Sequence, residues 1–293
     1  AIWKTTIADA PLMTYVLGSS LRLLLDAPGS TLLGLPRLLV DEQYRASLVR
    51  QCKDPVVKSF FEYELASWDD RRMTEAVRPT QTRVGTLLSS PVLRNILGQP
   101  RSTINLRRVM DDGEVLICNL AKGRLGKDPS HLLGALLITA FSQAAESRID
   151  VSEDSRRDFT LYADEAQNFD VASLPDIYSE ARKWRLSICT SNQFLTQLPQ
   201  ELRDAIFGNC GNLIVFRCGA EDAAILAKQL GIDTDTAPID TPNFAARVRL
   251  MQDGVPTEAR YLETDLPEPE VAGRFDVVRS RTRSRCTRPS NVV

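Results

Sequence analysis

Hydrophobic residues repeat along this chain in two rhythms, and the change between them falls near residue 100. Over 8–26 the apolar side chains recur at helical spacing, and the run stops at Pro28–Gly29. Asp54–Pro55 reads as a helix cap followed by proline at the first helical position. Behind it Val57, Phe60, Phe61, Leu65 and Trp68 form one stripe, with Glu64 its polar member. Ser90–Pro91 opens a further short helix, closed by Gly98 and Pro100. The first hundred residues are therefore expected to be helical.

Past that point short apolar runs alternate with helical ones. EVLICNL (114–120), DFTLYA (158–163), RLSICTS (185–191) and NLIVFRC (212–218) read as strands. A helix capped by Asp128–Pro129 is expected to run to about Arg148. Another covers 172–184, with Leu174, Ile177, Tyr178 and Ala181 on one stripe. Two more cover 200–208 and 221–230, the last ending at Gly231. Strands alternating with helices imply right-handed crossovers and a mostly parallel sheet, covered by helices on both faces. In RVRLMQDGVPTEARYL (247–262), Asp253–Gly254 sits between two extended runs and predicts a hairpin at one sheet edge. The expected organisation is a helical segment over 1–100, an α/β domain over 101–272 and a basic, flexible tail over 273–293.

The net charge of −2 favours no class of partner, but its distribution is uneven. Eight arginines lie between 71 and 108, and the tail carries Arg279, Arg281, Arg283, Arg285 and Arg288. Such zones face either phosphates or solvent. None of the six cysteines forms a C-x-x-C pair, and Cys118, Cys189 and Cys218 lie in apolar runs, the usage of a reducing compartment. A single histidine, His131, leaves no material for histidine zinc sites or a Ser-His-Asp triad. No signal peptide opens the chain, and HLLGALLITAF (131–141) is too short to span a bilayer. The expected location is cytoplasmic, at the cytoplasmic face of the inner membrane for a parent with an anchor.

The run FTLYADEAQNFD (159–170) carries the candidate chemistry. An apolar strand ends on two adjacent acids, Asp164 and Glu165, where open α/β sheets bind ligands. One acid there can hold Mg²⁺ on a nucleotide while the next polarises an attacking water. Strand-end acids also cap helices or pair with arginine. The next strand ends in Thr190-Ser191-Asn192-Gln193, a polar tip able to reach a γ-phosphate. Arg182, just past the apolar stripe of the preceding helix, points off the core and can act on a neighbour's phosphoryl group or lie in solvent.

LYADEAQNF, SEARKWRLSICTSNQFLTQL and IFGNCGNLIVFRCGAEDAAILAKQLG, in that order, resemble the HerA–FtsK superfamily of RecA-like DNA-pumping ATPases. The resemblance is to the TraD/TraG-like coupling proteins of conjugation and type IV secretion in particular. Flanking sequence, from RNILGQPRSTINLRRVMDDGEVLICNL to RVRLMQDGVPTEARYL, extends it over roughly residues 90–265. The helical first part stands where that family has its all-α domain. The resemblance implies ATP and Mg²⁺ as cofactors, with Asp164 the Mg²⁺ acid, Glu165 the catalytic base and Gln193 the γ-phosphate sensor. It makes Arg182 an arginine finger acting in trans, with Arg203 and Arg217 as further phosphate-facing candidates. It implies a homo-hexameric ring, DNA as cargo track, and a relaxase or secretion-channel protein as partner.

The family's phosphate loop, G-x-x-x-x-G-K-[ST], does not occur. AKGRLGKD (121–128) lacks the first glycine and the hydroxyl residue, and Asp128 would repel phosphate. The resemblance thus implies a loop supplied from upstream, and a segment that is inactive alone. Two other readings stay open: a non-catalytic DNA- or partner-binding module, and a HerA-like DNA-processing ATPase.

Overall fold

The computed structural model describes residues 11–169 and 174–287. The starts of the helices expected at 8 and 172, and Arg288 of the tail, lie outside them. The described residues form two compact units, one of 11–105, 117–134 and 278–287, the other of 106–116 and 135–277.

The first unit is helical. Over 11–105 its helices are α1 (Pro11–Asp26), α2 (Gly34–Val40), α3 (Glu42–Val49), α4 (Pro55–Ser59), α5 (Asp70–Ser89) and α6 (Pro91–Leu97). The caps read from sequence are made. The Asp54 carboxylate accepts the Val56 and Val57 amides at 2.8 and 3.3 Å, and Ser90 Oγ accepts the Leu93 amide at 3.5 Å. The stripe after Asp54 is not one regular helix: α4 passes through a π-turn (Phe60–Glu64) into a 3₁₀ turn (Leu65–Ser67). There the Phe60 ring meets Tyr15, Phe61 and Trp68 edge-on, with centroids 4.9, 4.8 and 6.0 Å away. Helix α5 contains Pro79, which removes one ladder donor. Its buried stripe of Ala76, Val77, Thr80 and Val84 packs into the core with Leu23, Leu35 and Leu38 and keeps it helical.

After α6 come α7 (Leu106–Asp111), α8 (Lys122–Leu125) and the long α9 (Lys127–Glu146). EVLICNL was expected to be a strand. Residues 114–120 are not hydrogen-bonded into a sheet, and Val115 and Ile117 are 87% and 82% exposed. Strand propensity reports fit to a half-buried pleated surface, and no described ladder accepts this segment.

In the second unit β1 (Phe159–Ala163) and β2 (Leu186–Thr190) pair in parallel, in register from Phe159↔Leu186 to Ala163↔Thr190. Between them lies α10 (Leu174–Glu180) with a 3₁₀ turn, Ala181–Trp184. After β2 come α11 (Gln200–Asn209), β3 (Leu213–Val215) and α12 (Ala220–Leu230). Ala135, Ile138 and Phe141 of α9, with Leu174, Ile177 and Leu202, build the core with the inner residues of β1 and β2. Helices on both faces were expected. Among the described residues they cover one: Thr160, Tyr162, Ser187 and Cys189 on the other are exposed. Cys118 is exposed too, so two of the three strand-run cysteines are not core residues.

The remaining strands are β4 (Ala245–Arg249), β5 (Met251–Gln252), β6 (Val255–Pro256) and β7 (Arg260–Glu263). Antiparallel pairing gives the order β3-β4-β7, and β5 pairs β6. The predicted hairpin is present, and Asp253 (φ 50°) and Gly254 (φ 78°) are both left-handed as its two-residue turn requires. In the expected tail, Arg274–Cys286 forms a helix, α13.

One internal arginine ties the second unit together. Arg148 is fully buried; its Nε donates to Asp111 Oδ1 at 2.8 Å, and Nη1 donates to the carbonyls of Arg157 and Trp184 at 3.0 and 3.1 Å. Arg156 stacks on the Trp184 ring at 4.9 Å and donates to the Lys183 carbonyl. Among the described residues, three of the eight arginines over 71–108 are in ion pairs: Arg71, Arg107 and Arg108 pair with Glu75, Asp111 and Asp112, and Arg107 also reaches Asp150 at 2.5 Å.

Candidate functional site

The two acids sit just beyond the carboxyl end of β1, beside the end of β2. The strand ends stay paired one step past the ladder. The Ser191 amide donates to the Ala163 carbonyl at 3.1 Å, and the Ala166 amide donates to the Ser191 carbonyl at 3.0 Å. Between those bonds the chain turns sharply, and Glu165 adopts φ 54°, ψ 47°. A left-handed residue other than glycine costs roughly 1–2 kcal/mol, so surrounding bonds must impose it. The effect is to turn the neighbouring carboxylates to different partners.

Asp164 is exposed, and its Oδ1 accepts the Ser191 hydroxyl. Glu165 is half-buried; its Oε1 accepts Gln193 Nε2 at 2.6 Å and its Oε2 accepts Gln167 Nε2. Asp164, Glu165 and Gln193 are thus brought together as the sequence suggested. Among the described residues neither acid forms an ion pair, which leaves both carboxylates to act on something else. Ser191 and Gln167 were not singled out from sequence. Their signal was present, as hydroxyl and amide residues flanking the predicted ones, but only the strand register brings Ser191 against Asp164.

Arg182 does not join this cluster. It lies in the turn before β2, whereas Gln193 follows β2. A five-residue strand separates them, about 16 Å at ~3.3 Å per residue. Arg182 is exposed and, among the described residues, forms no ion pair. Its turn is fixed by the grip of Arg148 and Arg156 on the carbonyls of Trp184 and Lys183. Arg203 donates to Gln200 Oε1 at 2.7 Å and Arg217 to Asn243 Oδ1 at 3.1 Å, so neither is engaged with the acids.

The Tyr178 hydroxyl on α10 lies 2.6 Å from Thr190 Oγ1, tying the helix before Arg182 to the strand tip before Ser191. Burial pushes this phenol up to about 12, and the Thr190 hydrogen bond offsets part of that rise. An unfolded phenol titrates near 10. With the folded value the higher one, the contribution is complete below pH ~10 and is lost as pH rises toward 12. Urea denaturation should therefore show stability falling over that interval, and Tyr178→Phe should flatten the fall. A parallel fall in the variant would exclude Tyr178 as its source.

No cluster of three metal-ligating side chains occurs among the described residues. Mg²⁺ is commonly held by one or two carboxylates with water and phosphate rather than by a protein cage. Asp164, with Oδ1 turned to a hydroxyl, leaves an open carboxylate oxygen suited to that task.

Residues 158–241, which hold this whole cluster, match the family model described as the TraM recognition site of TraD and TraG. The segment is TraD/TraG-like. Solved structures of the bacterial conjugative coupling protein TrwBdeltaN70 are similar in fold to most of the chain. The unbound monoclinic form matches with a TM-score of 0.54 at 14% identity, over 86% of this chain and 64% of that one. The trigonal form in complex with sulphate matches with a TM-score of 0.52 at 16% identity, over 81% and 59%. The chain spans less than two thirds of these structures. No curated protein sequence matches it. The TraD/TraG-like segment thus lies in a chain whose fold is similar to that of TrwBdeltaN70, with the acids at the carboxyl end of the paired parallel strands. No described helix is long and apolar enough to cross a membrane.

Proposed function

We propose that this chain is the catalytic half of an ATP-driven DNA translocase of the coupling-protein type. The observation that carries the reading is the cluster at the paired strand ends. Two acids that form no ion pair among the described residues are held by different partners, with the Gln193 amide on Glu165 at 2.6 Å. In this reading Asp164 helps hold Mg²⁺ on the nucleotide, Glu165 takes the proton of the attacking water, and Gln193 senses the terminal phosphate. Bound Mg²⁺ neutralises charge on the phosphates. The phosphate cradle comes from sequence outside these 293 residues, which the greater length of the TrwBdeltaN70 chains supports. Arg182, a strand's length from its own acids, serves a neighbouring subunit, in a ring that the family resemblance makes a homo-hexamer. DNA or a DNA–protein cargo moves through it at the cytoplasmic face of the inner membrane.

Glu165→Gln, made in the native protein that bears the phosphate loop, tests this. The substitution keeps the Gln193 contact geometry but removes the base, and should lower Mg-ATP turnover by about 10²–10⁴-fold with nucleotide affinity kept. Wild-type turnover in the variant would sink the reading. A second reading is favoured by the matched family's description, TraM recognition: a module that docks a partner protein without turnover. It expects partner binding and DNA transfer to survive Glu165→Gln unchanged.

A further inference from the structure

We propose that Ser191 is a positioning residue for the acidic pair, holding Asp164 and Glu165 apart in the orientation their separate tasks require. The inference rests on the function proposed above and deepens it. Adjacent carboxylates repel, and the backbone that separates them is left-handed at Glu165. One side chain answers both problems. The Ser191 hydroxyl donates to Asp164 Oδ1, and its oxygen accepts the Glu165 amide at 3.2 Å. The main chain of the same residue pairs with Ala163 on one side and Ala166 on the other. Ser191 thus bonds to every residue from Ala163 to Ala166.

The hydroxyl and the amides divide the pair between them. Ser191 holds one Asp164 oxygen, while Gln193 and Gln167 hold both Glu165 oxygens. Without the hydroxyl the Asp164 rotor is free, the Glu165 amide loses its acceptor, and the left-handed turn loses the bond that imposes it. The acids would remain present but misdirected. A small misplacement of a reacting group costs far more rate than affinity. The hydroxyl reaches the acids only because β2 runs in register with β1, so the strand pair itself sets the aim.

Ser191→Thr and Ser191→Val match in shape and differ in the hydroxyl, so comparing them separates positioning from packing. In the 293-residue chain, amide hydrogen exchange read by NMR should show Glu165 exchanging roughly 5–10-fold faster in Ser191→Val than in wild type. Ser191→Thr should restore the wild-type rate, and the β2 amides of Ile188 and Cys189 should be unchanged in both. In the native, loop-bearing protein, Ser191→Val should lower kcat for Mg-ATP about 10-fold or more with KM within about twofold, and Ser191→Thr should recover most of it. Equal exchange at Glu165 in the two variants would overturn the proposal, as would equal kcat in them while Glu165→Gln is inactive. If Glu165→Gln instead keeps full turnover, the reading of the site as an ATPase fails. The exchange comparison then still decides whether Ser191 sets the pair.

Discussion

Replacing Arg182 by alanine should reduce Mg-ATP turnover of the assembled, loop-bearing protein by about 10³–10⁵-fold, the range found for arginine fingers. The expectation follows from placement. Arg182 lies before β2 and its own subunit's Gln193 after it, so the cation cannot reach the phosphate that its own Glu165 would serve. It is exposed and takes part in no ion pair among the described residues, although Lys183 beside it pairs with Glu180 at 2.5 Å. A guanidinium left unpaired on a rigid turn is suited to a charge it meets only on assembly. The decisive measurement is complementation. Subunits carrying Arg182→Ala keep their own acids, and subunits carrying Glu165→Gln keep their arginine. Mixed together they should form some interfaces with both groups intact, and activity should reappear. If mixtures stay as inactive as either variant alone, Arg182 does not act across a subunit boundary.

Arg148→Ala is the substitution expected to cost most in stability. The side chain is wholly buried, and it neutralises Asp111 while satisfying the carbonyls of Arg157 and Trp184. Removing one member of such a pair strands the other and opens a cavity, a loss of about 3–5 kcal/mol. Asp111 keeps 38% of its side chain in water and a second contact from Arg107 at 3.3 Å, which puts the loss near the lower figure. At ~3 kcal/mol the melting temperature should fall by roughly 6–12 °C. Arg148→Lys can make one of the three contacts and should fall between. A melting temperature within about 2 °C of wild type in Arg148→Ala would show that the network is not a stabilising element. The same bonds fix the turn that carries Arg182, so in the folded fraction this variant should also lose turnover.

Much of the candidate cluster was legible before the structure. Asp164, Glu165 and Gln193 could be named as candidates because an apolar strand ending in paired acids is followed by a second strand ending in polar residues, and the resemblance supplied the roles. Residue type and order carried that reading. Ser191 escaped it because a serine at a strand end is unremarkable until register sets it against Asp164. Arg148 escaped because an arginine near a helix end reads as solvated, and only packing reveals that α7, the end of α9 and the turn after α10 close over it.

The sequence by itself determined the local elements whose physics is local: caps at Asp54 and Ser90, the left-handed turn at Asp253–Gly254, the stripes that make α1 and α10, and the strands β1 and β2. Those follow from hydrogen bonds and burial within a few residues. The tertiary structure decided what depends on distant partners. It kept α5 helical through Pro79, because four buried residues outweigh one missing donor. It left EVLICNL without a ladder, because a strand exists only where another edge receives it. And it set Ser191 against Asp164 through the parallel register of β1 and β2, a contact between residues 27 apart that spacing in sequence cannot express.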